Sequence, residues 1–137
     1  TPREVRRDAG LGAATLVLAA DELVRSGPPD RVVNVGRLTL APGAHNIVPA
    51  EARVALEIRA ADEAGLRELE SALRTRAREA ADRHGLELAT HPLGEVPPTP
   101  CDPGMRDALA RAADSLGLRW LELTSGAGHD TMVLGRL

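Results

Sequence analysis

Apolar residues in the first part of the chain return every three or four positions. Val5, Ala9, Ala13, Leu16, Ala20 and Leu23 fall on one stripe, the spacing of an amphipathic helix, and predict a helix over residues 2–25. "TPRE" reads as its start, with Thr1 as N-cap, Pro2 in the first helical position and Glu4 completing a capping box. Gly10 and Gly12 each weaken such a helix by about 1 kcal/mol relative to alanine, and glycines on a helix let another backbone come close. Gly27, Pro28 and Pro29 end it. The period then changes from 3.6 to 2. "RVVNVGRLTLAP" is rich in β-branched residues. "EARVALEIRA" puts Ala52, Val54, Leu56 and Ile58 on one face and Arg53, Glu57 and Arg59 on the other, the pattern of a half-buried antiparallel strand. Between them lies the loop "PGAHNIVP", bracketed by Pro42 and Pro49. A second helical stripe, Leu66, Leu69, Leu73, Ala77 and Ala80, predicts a helix over 62–84 capped by Gly85. "LELATHP" follows as a short third strand.

The order α-β-β-α-β is a ferredoxin-like β-α-β-β-α-β domain without its first strand, which is expected just before Thr1. This is an α+β unit over residues 1–94. "EVPPTPCDPG", with prolines at 97, 98, 100 and 103, reads as a linker. Beyond it the grammar differs. Met105, Leu109 and Ala112 predict a helix over 103–116 stopped by Gly117; "LRWLELT" reads as an apolar strand buried on both faces; "SGAG" opens a last helix near His129. Residues 95–137 thus read as a strand-loop-helix piece of an α/β domain, and roughly 40 residues bury no core of their own.

Composition removes several classes of function. The chain is 43% hydrophobic and 27% charged, so it folds rather than staying disordered. Trp120 is the one aromatic residue, which excludes aromatic base-stacking platforms. The net charge is -3, with 17 arginines dispersed among 20 acids, and gives no nucleic-acid footprint. No apolar run approaches ~20 residues, so no membrane span is expected, and no signal peptide is visible. The lone Cys101 makes no internal disulfide and fits a reducing, cytoplasmic setting. The chain begins with Thr1 rather than Met, as a processed protein or a piece of a longer one does. An N-terminal threonine can be a nucleophile, but a helix start accounts for it.

Few residues carry chemistry by spacing alone. Ser125, His129 and Asp130 invite a Ser-His-Asp reading, yet neighbours on one helix start point in different directions, and "TSG" is not a G-x-S-x-G elbow. "GAG" lies at the carboxyl end of the expected strand, where α/β sheets place ligands. Helix-start N–H groups and His129 suit an anion or oxyanion there; the alternative is a capping Ser125 and a surface histidine. His45, His84, His91 and His129 are scattered without H-x-x-x-H or H-x-D spacing, so no complete metal site is visible. His84 and His91 read as surface residues. Asn46 is a turn residue by position. Arg59 ends the polar face of its strand, either solvated or placed to clamp a carboxylate in a bidentate fork.

Three motifs in order carry a family resemblance: "TPREVRRDA", "VGRLTLAPGAHNIVPAEARVALEIR" and "SGAGHD". Over nearly its whole length the chain resembles the zinc-dependent amidohydrolases that include N-carbamoyl-L-amino acid hydrolases, allantoate amidohydrolases and β-ureidopropionases, of the aminoacylase and carboxypeptidase type of metallopeptidase superfamily. The resemblance implies that residues 1–94 are most of a lid domain, which mediates homodimerisation, and that residues 95–137 return to a two-zinc catalytic domain. It implies that Asn46 contacts substrate, that Arg59 binds the substrate carboxylate and that His129 binds substrate and steadies the developing oxyanion. None of the three is a metal ligand in the family. The H-x-D, Glu-Glu, H-I-E-Q-G and S-H-S-P-like motifs that supply its zinc ligands and general base do not occur here, nor does the H-A-G segment that normally precedes "TTP". The isolated chain is therefore expected to bind no zinc and to be inactive, with zinc the cofactor of a complete enzyme acting on a small carboxylate-bearing substrate. Arg3, Ala50 and Thr131 depart from the residues usual at those places. A free-standing dimerisation or ligand-binding module and a degenerate pseudoenzyme are the alternatives.

Overall fold

The computed structural model of the chain describes residues 2–135. Along the sequence the chain divides into two compact units, the boundary falling between Glu95 and Val96. The first contains a 3-10 turn (Arg3–Val5), α1 (Ala9–Ser26), β1 (Val32–Ala41), β2 (Glu51–Arg59) and α2 (Glu63–Arg83); the second contains α3 (Pro103–Ser115) and α4 (Asp130–Leu134). The architecture is α+β, built on the α-β-β-α order that the apolar periods predict.

The helix ends follow from identifiable caps. The Asp62 carboxylate accepts from the Gly65 N–H at 2.7 Å and opens α2; Asp102 does the same for Met105 at 2.9 Å, with Pro103 in the first turn of α3. Both helices close in a Schellman motif. Gly85 (φ +63°) and Gly117 (φ +66°) take the left-handed conformation, and Leu86 and Leu118 donate back to the carbonyls of Ala81 (2.9 Å) and Ala113 (3.0 Å). The first helix begins later than its stripe predicts. Asp8 accepts from the N–H groups of Gly10 and Leu11 at 3.0 and 3.2 Å, so the helix starts at Ala9, and Glu4 belongs to the separate 3-10 turn. The cap expected at Thr1 lies outside the described residues. Gly12 does admit a close neighbour, but it is the side chain of Leu86 rather than a backbone.

β1 and β2 pair antiparallel from Val32↔Arg59 to Ala41↔Glu51, with a bulge between Val35 and Arg37. The bulge keeps the apolar face continuous. Val33 and Val35 precede it and Leu38 and Leu40 follow it, so strict alternation fails at Gly36; the extra residue restores the parity, and the partners Ile58, Leu56, Val54 and Ala52 run unbroken along β2. α1 and α2 cover this face. Leu69, 2% exposed, sits with Leu73 and Ala20 at the centre of the core, against Leu23, Val33, Leu56 and Ile58. Across the helices, the Thr15 hydroxyl donates to the Leu11 carbonyl at 2.9 Å and lies 3.0 Å from His84 Nε2. Since its single proton is committed to Leu11, the oxygen accepts from Nε2–H. His84 is thus a half-buried interhelical tie rather than a surface residue.

Two expected strands are not formed. Residues 86–92 and 118–124 have no ladder. A strand exists through its neighbour, and among the described residues no strand pairs with either segment. Arg74 Nη1 holds Thr90 Oγ1 at 2.8 Å, and in the second unit Trp120 Nε1 donates to Asp114 at 2.8 Å. "LRWLELT" is accordingly open rather than buried, with Leu123 78% exposed. Neither helix of the second unit has a buried residue, in keeping with a segment too short for its own core.

Candidate functional site

Arg59 is the last residue of β2. It lies on the sheet face turned away from the helices, the face it shares with Glu57, Arg53 and Glu51 by strand alternation. Its guanidinium is not simply solvated. Nη2 donates to both carboxylate oxygens of Glu57, at 3.0 and 2.9 Å. The hydrogen bond from Arg59, against desolvation and with a smaller help from its charge, holds the Glu57 carboxyl below its ordinary range; the reciprocal bond and charge raise Arg59. Arg53 is also paired with the acid two positions before it, through Nε and one carboxylate oxygen of Glu51. In the sequence the partner Glu57 is marked by its opposite charge at i−2 on the same strand face.

Asn46 is exposed in the loop between the strands. The backbone shapes this loop: Gly43 is left-handed (φ +77°), Ile47 N–H donates to the Ala44 carbonyl, and the Pro49 carbonyl accepts from Ala9 N–H at 3.1 Å. The last bond ties the loop to the start of α1. Asn46 and Arg59 belong to opposite ends of the ribbon. The loop leaves at the Ala41↔Glu51 end, while Arg59 pairs with Val32 at the other. Eight residue steps along β2 span about 26 Å, so the fold does not gather the two side chains around one atom.

His129 caps α4 by position, with extended backbone (φ −130°, ψ 153°) and no side-chain bond to the helix. Its Nε2 is 2.9 Å from Ser125 Oγ, and that oxygen also accepts from Ala127 N–H at 3.4 Å. Two sequence expectations change here. Ser125 does not cap the helix, and the two side chains meet instead of pointing apart, because the loop turns back across Gly126 and Gly128. Among the described residues no hydrogen bond joins Asp130 to His129, so the pair has no third member. No three His, Cys, Asp or Glu side chains gather into a metal site among the described residues, and no helix is long and apolar enough to cross a membrane. Cys101 is exposed. A hollow of about 340 Å³ on the opposite, helix-covered face of the sheet is lined by Ala13, Leu16, Val54, Ala77 and Leu86 together with the charged Arg7, Glu51 and Glu87.

Sequence and fold together resemble one part of known amidohydrolases. No family model matches the chain, but proteins do. It is 33% identical over 137 residues to the N-carbamoyl-L-amino-acid amidohydrolase of Paenarthrobacter aurescens, covering all of this chain and 33% of that protein. It is 33% identical over 134 residues to the ureidoglycolate hydrolase of Oryza sativa, 96% of this chain and 28% of the other. The crystal structure of a hydantoinase/carbamoylase family amidase from Burkholderia ambifaria superposes with a TM-score of 0.94 at 29% identity, over 99% of this chain and 33% of that one. The chain is thus a relative, along its whole length, of the hydantoinase/carbamoylase amidases, and spans about a third of the length of the curated relatives it matches.

Proposed function

We propose that these residues serve in a metal-dependent amidohydrolase that cleaves a carbamoyl or amide C–N bond of a small substrate carrying a carboxylate. The observation that carries this reading is the likeness, 33% identity over all 137 residues, to an N-carbamoyl-L-amino-acid amidohydrolase. In it the first unit is most of a lid and dimerisation domain, and the second is a part of the catalytic domain. Arg59, at the end of a hydrogen-bonded strand, takes the substrate carboxylate in a planar fork. Asn46 contacts substrate from its loop, at a separate point of the assembled site. His129 donates a hydrogen bond to the reacting carbonyl as negative charge develops there, and Ser125 holds the ring. Among the described residues no three potential ligands gather, and on this reading the metal, zinc by the family resemblance, is held by residues of the complete protein other than these. The protein is proposed to be a cytoplasmic homodimer.

The test uses the product of the complete reading frame that carries this segment, loaded with zinc. Ammonia release from N-carbamoyl-L-amino acids and from ureidoglycolate is measured, and Arg59→Lys is expected to raise KM because an ammonium loses the fork. Absence of hydrolysis of every such substrate by a folded, zinc-loaded protein refutes the reading. The 137 residues alone are expected to be inactive.

A further inference from the structure

The Arg59 guanidinium already carries a carboxylate, and the way it does so bears on how it takes another. A guanidinium offers two forks to a carboxylate, one from Nε and Nη2 and one from Nη1 and Nη2, and Nη2 belongs to both. Nη2 is the nitrogen that Glu57 occupies, with both oxygens within 3.0 Å. Strand geometry keeps the acid there. Residues 57 and 59 project from the same face two positions apart, and the residues paired with them on β1, Asn34 and Val32, bring no second cation to that end of the ribbon. Glu57 is also ionised at neutral pH, since the arginine lowers its pKa.

We infer that Glu57 is a resident counter-carboxylate, which a ligand carboxylate must displace from Arg59 in order to bind in a fork. This rests on the reading of Arg59 as the carboxylate clamp and adds a residue that sets its selectivity. A ligand that reaches either fork without displacing Glu57 places one of its oxygens beside the Glu57 oxygens, and the like charges repel. A carboxylate likewise occupies Arg53, through Glu51, so these two arginines of the outer face do not collect small anions indiscriminately. Only a ligand with further contacts elsewhere in the site offsets the loss of the Glu57 pair.

The experiment is a chemical-shift titration of the complete reading-frame product with butyrate and with butyramide, in wild type, Glu57→Gln, Arg59→Met and the double variant. Glu57→Gln is expected to tighten butyrate on the order of fivefold, the factor for two unit charges about 4 Å apart in water, and to leave butyramide unchanged. In the Arg59→Met background the same change should do nothing. If wild type shows no preference for butyrate over butyramide, or if Arg59→Met leaves that preference intact, the clamp reading falls and this inference with it. If Arg59→Met removes the preference but Glu57→Gln leaves butyrate binding unchanged or weaker, this inference alone is overturned. Both side chains are exposed, so the variants are not expected to disturb folding, and preserved amide shifts in the strands verify it.

Discussion

Leu69→Ala measures how the first unit is held together. Among the described residues Leu69 is the largest side chain buried in full, 2% exposed, and it belongs to the cluster with Ala20 of α1 and Leu73 against which Val33, Leu56 and Ile58 of the two strands pack. The substitution removes three carbons, about 2.4 kcal/mol of lost transfer at ~0.8 kcal/mol each. The cavity adds to this, because Ala20 is too short to fill the space and the measured range for buried Leu→Ala is about 2–5 kcal/mol. A cost of about 3 kcal/mol follows. The unit's total stability is on the order of 5–14 kcal/mol at about 0.05–0.15 kcal/mol per residue, so this is a large share of it, and the midpoint should fall by roughly 12 °C or more. Thermal and urea unfolding followed by circular dichroism read it out, with Leu38→Ala as the control: Leu38 points to the same face but is 46% exposed and should cost less than about 1 kcal/mol. Equal losses for the two variants, or a loss under about 1 kcal/mol for Leu69→Ala with an unchanged urea slope, would refute the placement of the core.

Other consequences are open to measurement. Thr15→Val should destabilise by about 1 kcal/mol, and nitrogen shifts of His84 should report the Nε2–H tautomer whenever the ring is neutral; an Nδ1–H ring would contradict the assigned hydrogen bond. In the complete protein, His129→Ala should lower kcat by about 10²–10³, and Ser125→Ala should lower it less, with Ser125→Thr restoring it; full turnover in His129→Ala would remove that residue from the site. Asn46→Ala and Arg59→Lys should combine additively within about 0.5 kcal/mol of transition-state free energy, since about 26 Å of strand separates their ends of the ribbon; a strong coupling between them would mean that the loop folds back along the sheet.

What the sequence revealed and what it hid divide along physical lines. α2 and α3 were legible almost to the residue, because Asp62, Asp102, Gly85 and Gly117 are local signals that act through the backbone beside them. The start of α1 was misread because two capping residues competed, and Asp8, with two N–H groups in reach, prevailed over the "TPRE" signature. The unpaired segments at 86–92 and 118–124 show the opposite limit: apolar alternation prepares a strand, but only a neighbour makes one. In the candidate site, residue types were readable and contacts were not. "EIR" displays an acid and a base on one strand face, and the bidentate hold on Nη2 is a property of rotamers. "SGAGH" separates Ser125 from His129 by four residues, and the turn that joins them lies in the backbone dihedrals of the intervening loop.

On the proposed reading, the chain contributes recognition at the end of the substrate where no bond breaks. That makes its effect on rate a question of how binding energy is used. If the Arg59 fork grips the carboxylate equally before and during reaction, replacing the substrate's carboxylate by a carboxamide raises KM and leaves kcat alone. If the grip serves to draw the substrate into place, part of it is spent on orientation, and the carboxamide loses kcat as well. The pairing favours the first outcome. Arg59 begins paired with Glu57, and parting the pair costs the same in the bound ground state as in the transition state, so it weakens binding without touching the chemical step. The carboxamide is therefore expected to raise KM with kcat kept, and Glu57→Gln to lower KM for the carboxylate substrate without raising kcat. A carboxamide that loses kcat as well would show that Arg59 also orients the substrate.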